Sequence, residues 1–230
     1  MSKGLTPRLN MTIIFSALVL AGCASTRTEG DVMGDVKAAE ATLAEFQKDP
    51  QMVWLRQNMK NAKAVLVSPY IFKAGFVWGA SGGRAIVLAP GVGNRPWNGP
   101  AFYTLATASF GFQAGAQSSE VVAMFMTDKA MNSLLSTSVK LGADLSYALG
   151  PVGGSVAAPV VGDVVVFVRS KGLYGGVNLD GTIITIDEKG NRAFYGRDVT
   201  PTDILIKGVM PSASSTDYAI PMTSLMSTQK

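Results

Sequence analysis

The strongest evidence for the fold comes from residues 64–108, AVLVSPYIFKAGFVWGASGGRAIVLAPGVGNRPWNGPAFYTLATA. β-Branched and aromatic residues cluster there in short runs, and glycine, proline or asparagine stands between most of them. This alternation predicts β-strands joined by short turns. The four runs cover residues 64–67, 72–79, 84–89 and 101–108.

Similar runs return further along the chain and predict more strands over 121–126, 164–169, 173–178 and 182–186. The sequence contains fewer helical patterns than strand patterns. An amphipathic helix is predicted from apolar residues that recur every three or four positions, namely Val32, Val36, Ala39, Leu43 and Phe46. Asp49-Pro50 predicts the N-cap and first position of a second helix, which reaches about residue 62. Short helices are predicted over 131–135 and 203–206.

The order of these elements predicts the fold class. Too few helices lie between the strands for a doubly wound parallel sheet. We therefore expect an α+β fold: a mainly antiparallel, barrel-like sheet with N-terminal helices and short inserted helices.

The composition excludes several kinds of chemistry. Of the 230 residues, 47% are hydrophobic and 16% are charged, which is typical of a globular protein. The chain has one cysteine and no histidine. Catalytic triads based on histidine, zinc fingers and internal disulfides are therefore excluded. We expect no catalytic residue, no metal ligand set and no cofactor.

The single cysteine, Cys23, follows a pattern typical of bacterial lipoproteins. Lys3 and Arg8 precede an apolar run over residues 11–21, and Leu-Ala-Gly stands directly before the cysteine. The run has the length of a signal-peptide core and is too short for a stable membrane span. Residues 1–22 are predicted to be a lipoprotein signal peptide and 23–31 a lipidated tether. An ordinary secretory signal with an incidental cysteine is the alternative.

The same pattern predicts a location. Neither Ala24 nor Ser25 is the aspartate that retains such lipoproteins at the inner membrane. We therefore expect covalently attached acyl chains, palmitate among them, and an outer-membrane protein that faces the periplasm. Three acyl chains exceed the two signals that stable anchoring requires.

Charge gives little support for nucleic-acid binding. Removing residues 1–22 takes Lys3 and Arg8 from the 20 basic residues, which leaves 18 against 16 acidic ones and a net charge of +2. A nucleic-acid-binding protein would show a concentrated basic stripe. Residues 209–230 are rich in serine and threonine and are predicted to be a loosely ordered tail.

Glycine loops and carboxylates offer no clear catalytic site. The clusters at 150–154 and 172–176 lack the order of a phosphate-binding loop, so they predict tight turns. Asp187 and Glu188, before an apparent turn at Gly190-Asn191, are expected to be solvated; Asp144 and Asp163 are expected to bind turn amides. A hydrolase that uses two facing acids is the least favoured class.

At these glycine-rich turns the sequence resembles the SYLF domain family. Seven blocks match in order between residues 32 and 208, at 64–69, 73–79, 109–120, 141–144, 150–153, 170–177 and 191–196. The resemblance implies a SYLF-like domain over 32–208 that binds phosphoinositide or other anionic membranes; some eukaryotic members also bind actin. Gly154 departs from the family, which commonly has a basic residue there, so the lipid preference of this chain is expected to differ.

Together with the Cys23 pattern and the absence of histidine and cysteine chemistry, the resemblance predicts a noncatalytic, envelope-anchored lipoprotein whose domain binds anionic phospholipid. Basic side chains around an apolar face would provide the attraction. The candidates are Lys37, Lys48, Arg56, Lys60, Lys63, Arg169 and Lys171. Two alternatives stay open at this point. The basic residues of the helices could be an ordinary solvated face, and the protein could be a structural or interaction protein that recognises an envelope protein through an open sheet edge.

Overall fold

The computed structural model describes residues 26–75, 78–91, 96–110, 115–151, 161–171, 179–217 and 226. The signal peptide and Cys23 lie outside these residues. The helices are α1 (Glu29–Lys48), α2 (Val53–Asn58), which continues into a 3₁₀ turn (Met59–Asn61), α3 (Asp128–Leu134), α4 (Glu188–Tyr195) and a π-helical turn (Thr202–Ile206). The strands are β1 (Ala64–Gly75), β2 (Trp78–Pro90), β3 (Trp97–Phe110), β4 (Gly115–Phe125), β5 (Ser138–Lys140), β6 (Tyr147–Leu149), β7 (Val164–Lys171) and β8 (Ile183–Ile186).

The eight strands form one sheet in the order β5-β8-β3-β2-β1-β4-β7-β6. Every pairing is antiparallel except that of β6 with β7. The sheet curls into a half-barrel, and the helices pack on it. The predicted fold class, α+β with a mainly antiparallel, barrel-like sheet, is confirmed.

The long central strands differ from the predicted runs in their bounds. The run over 72–79 is divided between two strands, because β1 ends at Gly75 and β2 begins at Trp78. The runs over 64–67 and 72–75 form one strand with an irregular register between Val67 and Tyr70. Ser68 supports this bulge, since its hydroxyl donates to the Arg84 carbonyl at 2.7 Å. The strand predicted over 173–178 lies outside the described residues.

Helix α1 confirms the amphipathic prediction. All five residues of the predicted apolar stripe are buried in the core. The helix begins at Glu29, three residues before the stripe, because Thr28 and Asp31 form a capping box. The Thr28 hydroxyl accepts from the Asp31 N–H at 3.2 Å, and the Thr28 N–H donates to the Asp31 carboxylate at 2.9 Å. Two otherwise unpaired donors are thereby satisfied.

The second helix exists, but the prediction of its start was wrong. Asp49 is the C-cap of α1, and its carboxylate accepts from the Gln51 N–H at 2.8 Å in a tight turn. Helix α2 begins at Val53 instead. The Asx turn satisfies the carboxylate within two residues, which delays the helix past Pro50.

Near the C-terminal end of β8 the chain also departs from expectation. Gly190 and Asn191 lie inside α4 rather than in a turn. Asp187 is the N-cap of this helix and accepts from the Gly190 N–H at 2.8 Å, so it is not solvated. Asn191 is buried and accepts from the Phe102 N–H at 2.9 Å. This amide thus fixes α4 against β3.

The expectation for the two other acids is confirmed. The Asp144 carboxylate accepts from the Lys140 N–H at 2.7 Å, and that of Asp163 accepts from the Ser146 N–H at 3.1 Å. Asp163 also accepts from the Thr127 hydroxyl and the Lys129 ammonium. Hydrogen bonds, first of all from the Ser146 hydroxyl, lower the pKa of Asp163 to about 2.

Candidate functional site

A groove of about 450 Å³ lies on the sheet beside α1. Cross-strand neighbours form its floor, since Tyr70 pairs with Arg84 and Arg84 pairs with Thr104. Side chains at paired positions share one face of a sheet. Asp35 of α1 forms part of the wall. The full lining is Asp35, Pro69, Tyr70, Phe72, Gly83, Arg84, Thr104 and Leu105.

Two aromatic side chains form an exposed rim on this groove, which we call the aromatic rim. Tyr70 and Phe72 alternate along β1 and so point to the same face. Their rings stack with centroids 6.1 Å apart and planes 18° apart. Tyr70 is 49% exposed and Phe72 is 63% exposed. Large apolar groups this open, side by side on a rigid strand, are unusual unless they meet a partner.

Gly83 allows the close approach of β1 and β2 under the rim. A Cβ atom at this position would lie 2.3 Å from the Tyr70 carbonyl oxygen and 3.2 Å from the Ile71 Cα. Since both neighbours are backbone atoms, a larger residue would push the strands apart. The glycine therefore maintains the shape of the groove next to Tyr70.

An ion-pair network closes one side of the groove. Asp35 lies 2.6 Å from Arg27 Nη2 and 3.6 Å from Arg84 Nη1. Arg27 Nε also lies 3.3 Å from the Asp187 carboxylate. The Arg27 side chain is only 8% exposed, whereas that of Arg84 is 52% exposed. The network ties the start of the described chain to α1, α4 and the sheet.

The predicted basic residues are spread over the molecule. Lys37, Lys48, Lys60 and Lys63 are all exposed. The last three lie on consecutive elements that the contact of Gln47 with Met59 holds together. We call this region, from Lys48 through α2 and the 3₁₀ turn to Lys63, the helical end. Lys63 pairs with Asp128 at 2.9 Å, and both side chains remain open to solvent.

The two predicted arginines have partners inside the protein. Arg56 donates to the carbonyl groups of Gln47 and Asp49, which close the end of α1. Arg169 Nε donates to Glu120 Oε2 at 2.7 Å, and Arg169 Nη1 lies 3.8 Å from Glu45 Oε2. The guanidinium carbon of Arg169 lies 5.2 Å from the centroid of the Phe46 ring. These contacts hold α1 on the sheet. Only the backbone of Lys171 is described, where it pairs with Ser118.

The structure keeps the helical end and the aromatic rim apart. Lys63 precedes β1 and Phe72 is its ninth residue. At about 3.3 Å per residue, the two lie roughly 30 Å apart along the strand. The lysines of the helical end therefore do not surround the groove, whereas the backbone of Lys171 lies two strands from Phe72, since both residues pair with Ser118.

The groove offers little for catalysis by acids. Of its lining residues, only Asp35 is acidic, and it is held between two arginines. Among the described residues, no cluster of three or more acidic, cysteine or histidine side chains could hold a metal ion. No helix in the described part of the chain is long and apolar enough to span a membrane.

Sequence reasoning missed the groove and its network. Tyr70 and Phe72 were visible as an alternating pair on a strand, but the strand prediction broke between 67 and 72. Arg27 and Asp35 gave no local signal, because their contacts depend on how α1 crosses the sheet. Gly83 stood in a glycine-rich turn pattern, although the structure places it within β2.

Comparison with known proteins identifies the family. A sequence profile described as "Ysc84: Las17-binding protein actin regulator" matches residues 106–226. The chain is 29% identical to human SH3 domain-containing YSC84-like protein 1 over 197 residues. The aligned region is 81% of this chain and 57% of the relative. It is also 29% identical to LAS seventeen-binding protein 3 of Saccharomyces cerevisiae over 189 residues. That aligned region is 77% of this chain and 41% of the yeast protein.

These matches leave part of each relative unaccounted for, because the chain spans only about half the length of the curated relatives that it matches. A Xenopus laevis relative is 33% identical over 133 residues, 56% of this chain and 39% of the relative. No solved structure matches the chain. The profile nevertheless covers more than half of the sequence and confirms the SYLF resemblance, and the chain belongs to the Ysc84 family.

Proposed function

We propose that this protein is a noncatalytic module of the cell envelope, anchored through acylated Cys23, whose domain binds anionic phospholipid. The observation that carries the proposal is the combination of a lipoprotein pattern before Cys23 with a Ysc84-family domain. The acyl chains would provide stable anchoring, and the domain would add a weaker, charge-dependent contact.

The helical end supports the charge-dependent contact. Lys48, Lys60 and Lys63 are exposed on neighbouring elements, since the Gln47 amide of α1 contacts the Met59 sulfur of the 3₁₀ turn. Each basic side chain near an anionic surface contributes about 1 kcal/mol. The attraction falls off within a Debye length of about 10 Å at 0.1 M salt, so it would weaken as salt increases.

A vesicle assay tests this proposal. A fragment that starts at Ala24 is sedimented with neutral or anionic vesicles. We expect binding only to anionic vesicles and a loss of roughly 100-fold in Lys48→Gln/Lys60→Gln/Lys63→Gln, since three contacts of about 1 kcal/mol are removed. The control, Lys140→Gln/Lys189→Gln/Lys207→Gln, removes the same charge from other exposed positions. Equal binding to both kinds of vesicle would refute the electrostatic mechanism.

Two observations support a noncatalytic role. The relatives are named for binding or regulation rather than for a reaction. The two acids singled out near strands, Asp144 and Asp163, are used as acceptors for turn amides.

A protein partner is the second candidate, and the names of the relatives favour it. The family description and the yeast relative both refer to binding of Las17 or LAS seventeen. For this chain, an envelope protein would take the place of that partner. Capture of one defined envelope protein by the folded fragment, unaffected by the lysine substitutions and by lipid charge, would favour this candidate over lipid binding.

A further inference from the structure

We propose that the groove and its aromatic rim face the leaflet into which the acyl chains of Cys23 insert, so that the helical end, on the far side of the domain, makes its charge-dependent contact with a second anionic surface. The inference rests on the acyl anchor of the proposed function and adds the orientation of the domain. Its occupant is the interfacial layer of the anchoring leaflet.

The chain between the anchor and the fold is short. Arg27 is the first residue held firmly, with its side chain 8% exposed and paired to Asp35 and Asp187. Cys23 precedes it by four residues, which span at most about 14 Å when fully extended. Whatever lies close to Arg27 must therefore lie close to the membrane surface.

The groove lies close to Arg27. Asp35 binds Arg27 and Arg84 at once, and both Asp35 and Arg84 line the groove. The anchor point and the groove are thus joined through one carboxylate. Lys48 stands at the other end of α1, a helix of 20 residues that is about 30 Å long.

The side chains of the groove suit a membrane interface. Tyrosine and other aromatic side chains are favoured at the membrane interface, where an apolar ring meets hydrated head groups. Tyr70 and Phe72 provide such rings in a rigid stack. Arg84, half exposed beside them, can keep its guanidinium among head groups while its aliphatic part lies against the groove.

The lipidated, full-length protein provides its own labelling test. Cys23 is the only cysteine and its thiol is blocked by acylation, so one added cysteine gives a unique site for an environment-sensitive fluorophore. Thr104→Cys places it in the groove with both aromatic rings intact, and Phe72→Cys places it on the rim. Gln57→Cys, exposed on α2, is the matched control at the helical end. Labelled proteins are reconstituted in neutral vesicles, to which the lysines of the helical end are not attracted, with and without doxyl-labelled lipid.

We expect labels at 104 and 72 to show blue-shifted emission and several-fold stronger quenching by doxyl lipid than the label at 57. Stronger quenching at 57, or none at any position while the protein floats with the vesicles, would overturn the orientation and leave the acyl anchor intact. Failure of wild-type protein to float with the vesicles would instead overturn the anchor itself, and the orientation with it. Circular dichroism of each variant verifies that it is folded.

Discussion

The two halves of strand β1 differ sharply although one continuous chain forms both. Residues 64–67, Ala-Val-Leu-Val, are at most 1% exposed, so layers of side chains cover both faces of the sheet there. Beyond the bulge, Ile71 is still buried, but Tyr70 and Phe72 are half open to solvent. The bulge after Val67 marks the change.

The two halves of β1 have separate roles, since one contributes to the stability of the fold and the other to contacts at the surface. The base half contributes to the core, where α1 and the sheet exclude water. The half beyond the bulge supports a surface that no described element covers, and its rigidity comes from pairing with β2 and β4. Changes in the base half should therefore alter the free energy of unfolding, and changes beyond the bulge should alter contacts.

The largest expected effect comes from a residue outside both halves. Cys23→Ser should abolish acylation, since serine has no thiol for diacylglyceryl transfer, and the protein should remain an uncleaved or unanchored precursor. Detergent partitioning and incorporation of labelled palmitate measure this, and the folded domain should be unaffected. Wild-type protein should resist a high-salt wash. A mutant that stays membrane-bound in high salt and is processed to the wild-type size would show that the lipoprotein interpretation is wrong.

A smaller effect, on the free energy of unfolding, is expected where α1 crosses the boundary between the two halves of β1. Arg169→Ala should lower the free energy of unfolding by about 3 kcal/mol, because it removes the charged hydrogen bond to the Glu120 carboxylate, which is 9% exposed, and the contact of the guanidinium with the Phe46 ring. Urea denaturation measures the change.

The matched control is Arg192→Ala, whose pair with Asp198 is exposed on both sides and should contribute less than about 1 kcal/mol. If the two substitutions were equally mild, Arg169 would not be fixing α1 to the sheet, and its predicted role in lipid contact would gain support.

Gly83→Ala tests the half beyond the bulge. The added Cβ would meet the Tyr70 carbonyl, so the strands must shift, at a cost of about 2 kcal/mol. Gly82→Ala is the control, since its Cβ would lie 3.5 Å from the nearest atom, in ordinary contact. Thermal unfolding measures the difference in stability between Gly83→Ala and Gly82→Ala. Equal stability of both variants would contradict the close strand approach described at Gly83.

The smallest effect concerns pH and a residue at the start of β7. The pKa of Asp163 is lowered to about 2, so its carboxylate stabilises the fold above its ordinary pKa, and this stabilisation is lost as pH falls through 2. At pH 6 the free energy of unfolding of Asp163→Asn should be about 1 kcal/mol lower than that of the wild-type protein. The difference should shrink between pH 4 and pH 2. A difference independent of pH would mean that size or shape, rather than charge, matters at this position.

The sequence predicted the features that depend on local periodicity. The apolar stripe from Val32 to Phe46 and the strand-rich centre follow directly from spacing. The start of α2 was missed because Asp49 forms an Asx turn that competes with a helical cap. The role of Asp187 was missed because a glycine inside a helix resembles a turn in sequence.

The groove could not be predicted for a different reason. Its lining comes from α1 and three strands, and its key contact joins Asp35 to both Arg27 and Arg84. Such contacts depend on the angle at which α1 crosses the sheet. The basic residues were visible in the sequence, but it could not show that Arg56 and Arg169 are used internally.

The anchoring of α4 by Asn191 has a consequence for the order of folding. The hydrogen bond from Ser68 to Arg84 joins residues that are 16 positions apart in the sequence, whereas the hydrogen bond from Phe102 to Asn191 joins residues that are 89 positions apart. Longer closures lose more chain entropy, so we expect β1 and β2 to pair before α4 docks. The Phe102 amide, bonded to the Asn191 side chain, should gain protection in pulsed hydrogen exchange later than the amides that join β1 to β2. Simultaneous protection of both would instead indicate that the sheet and α4 assemble in one step.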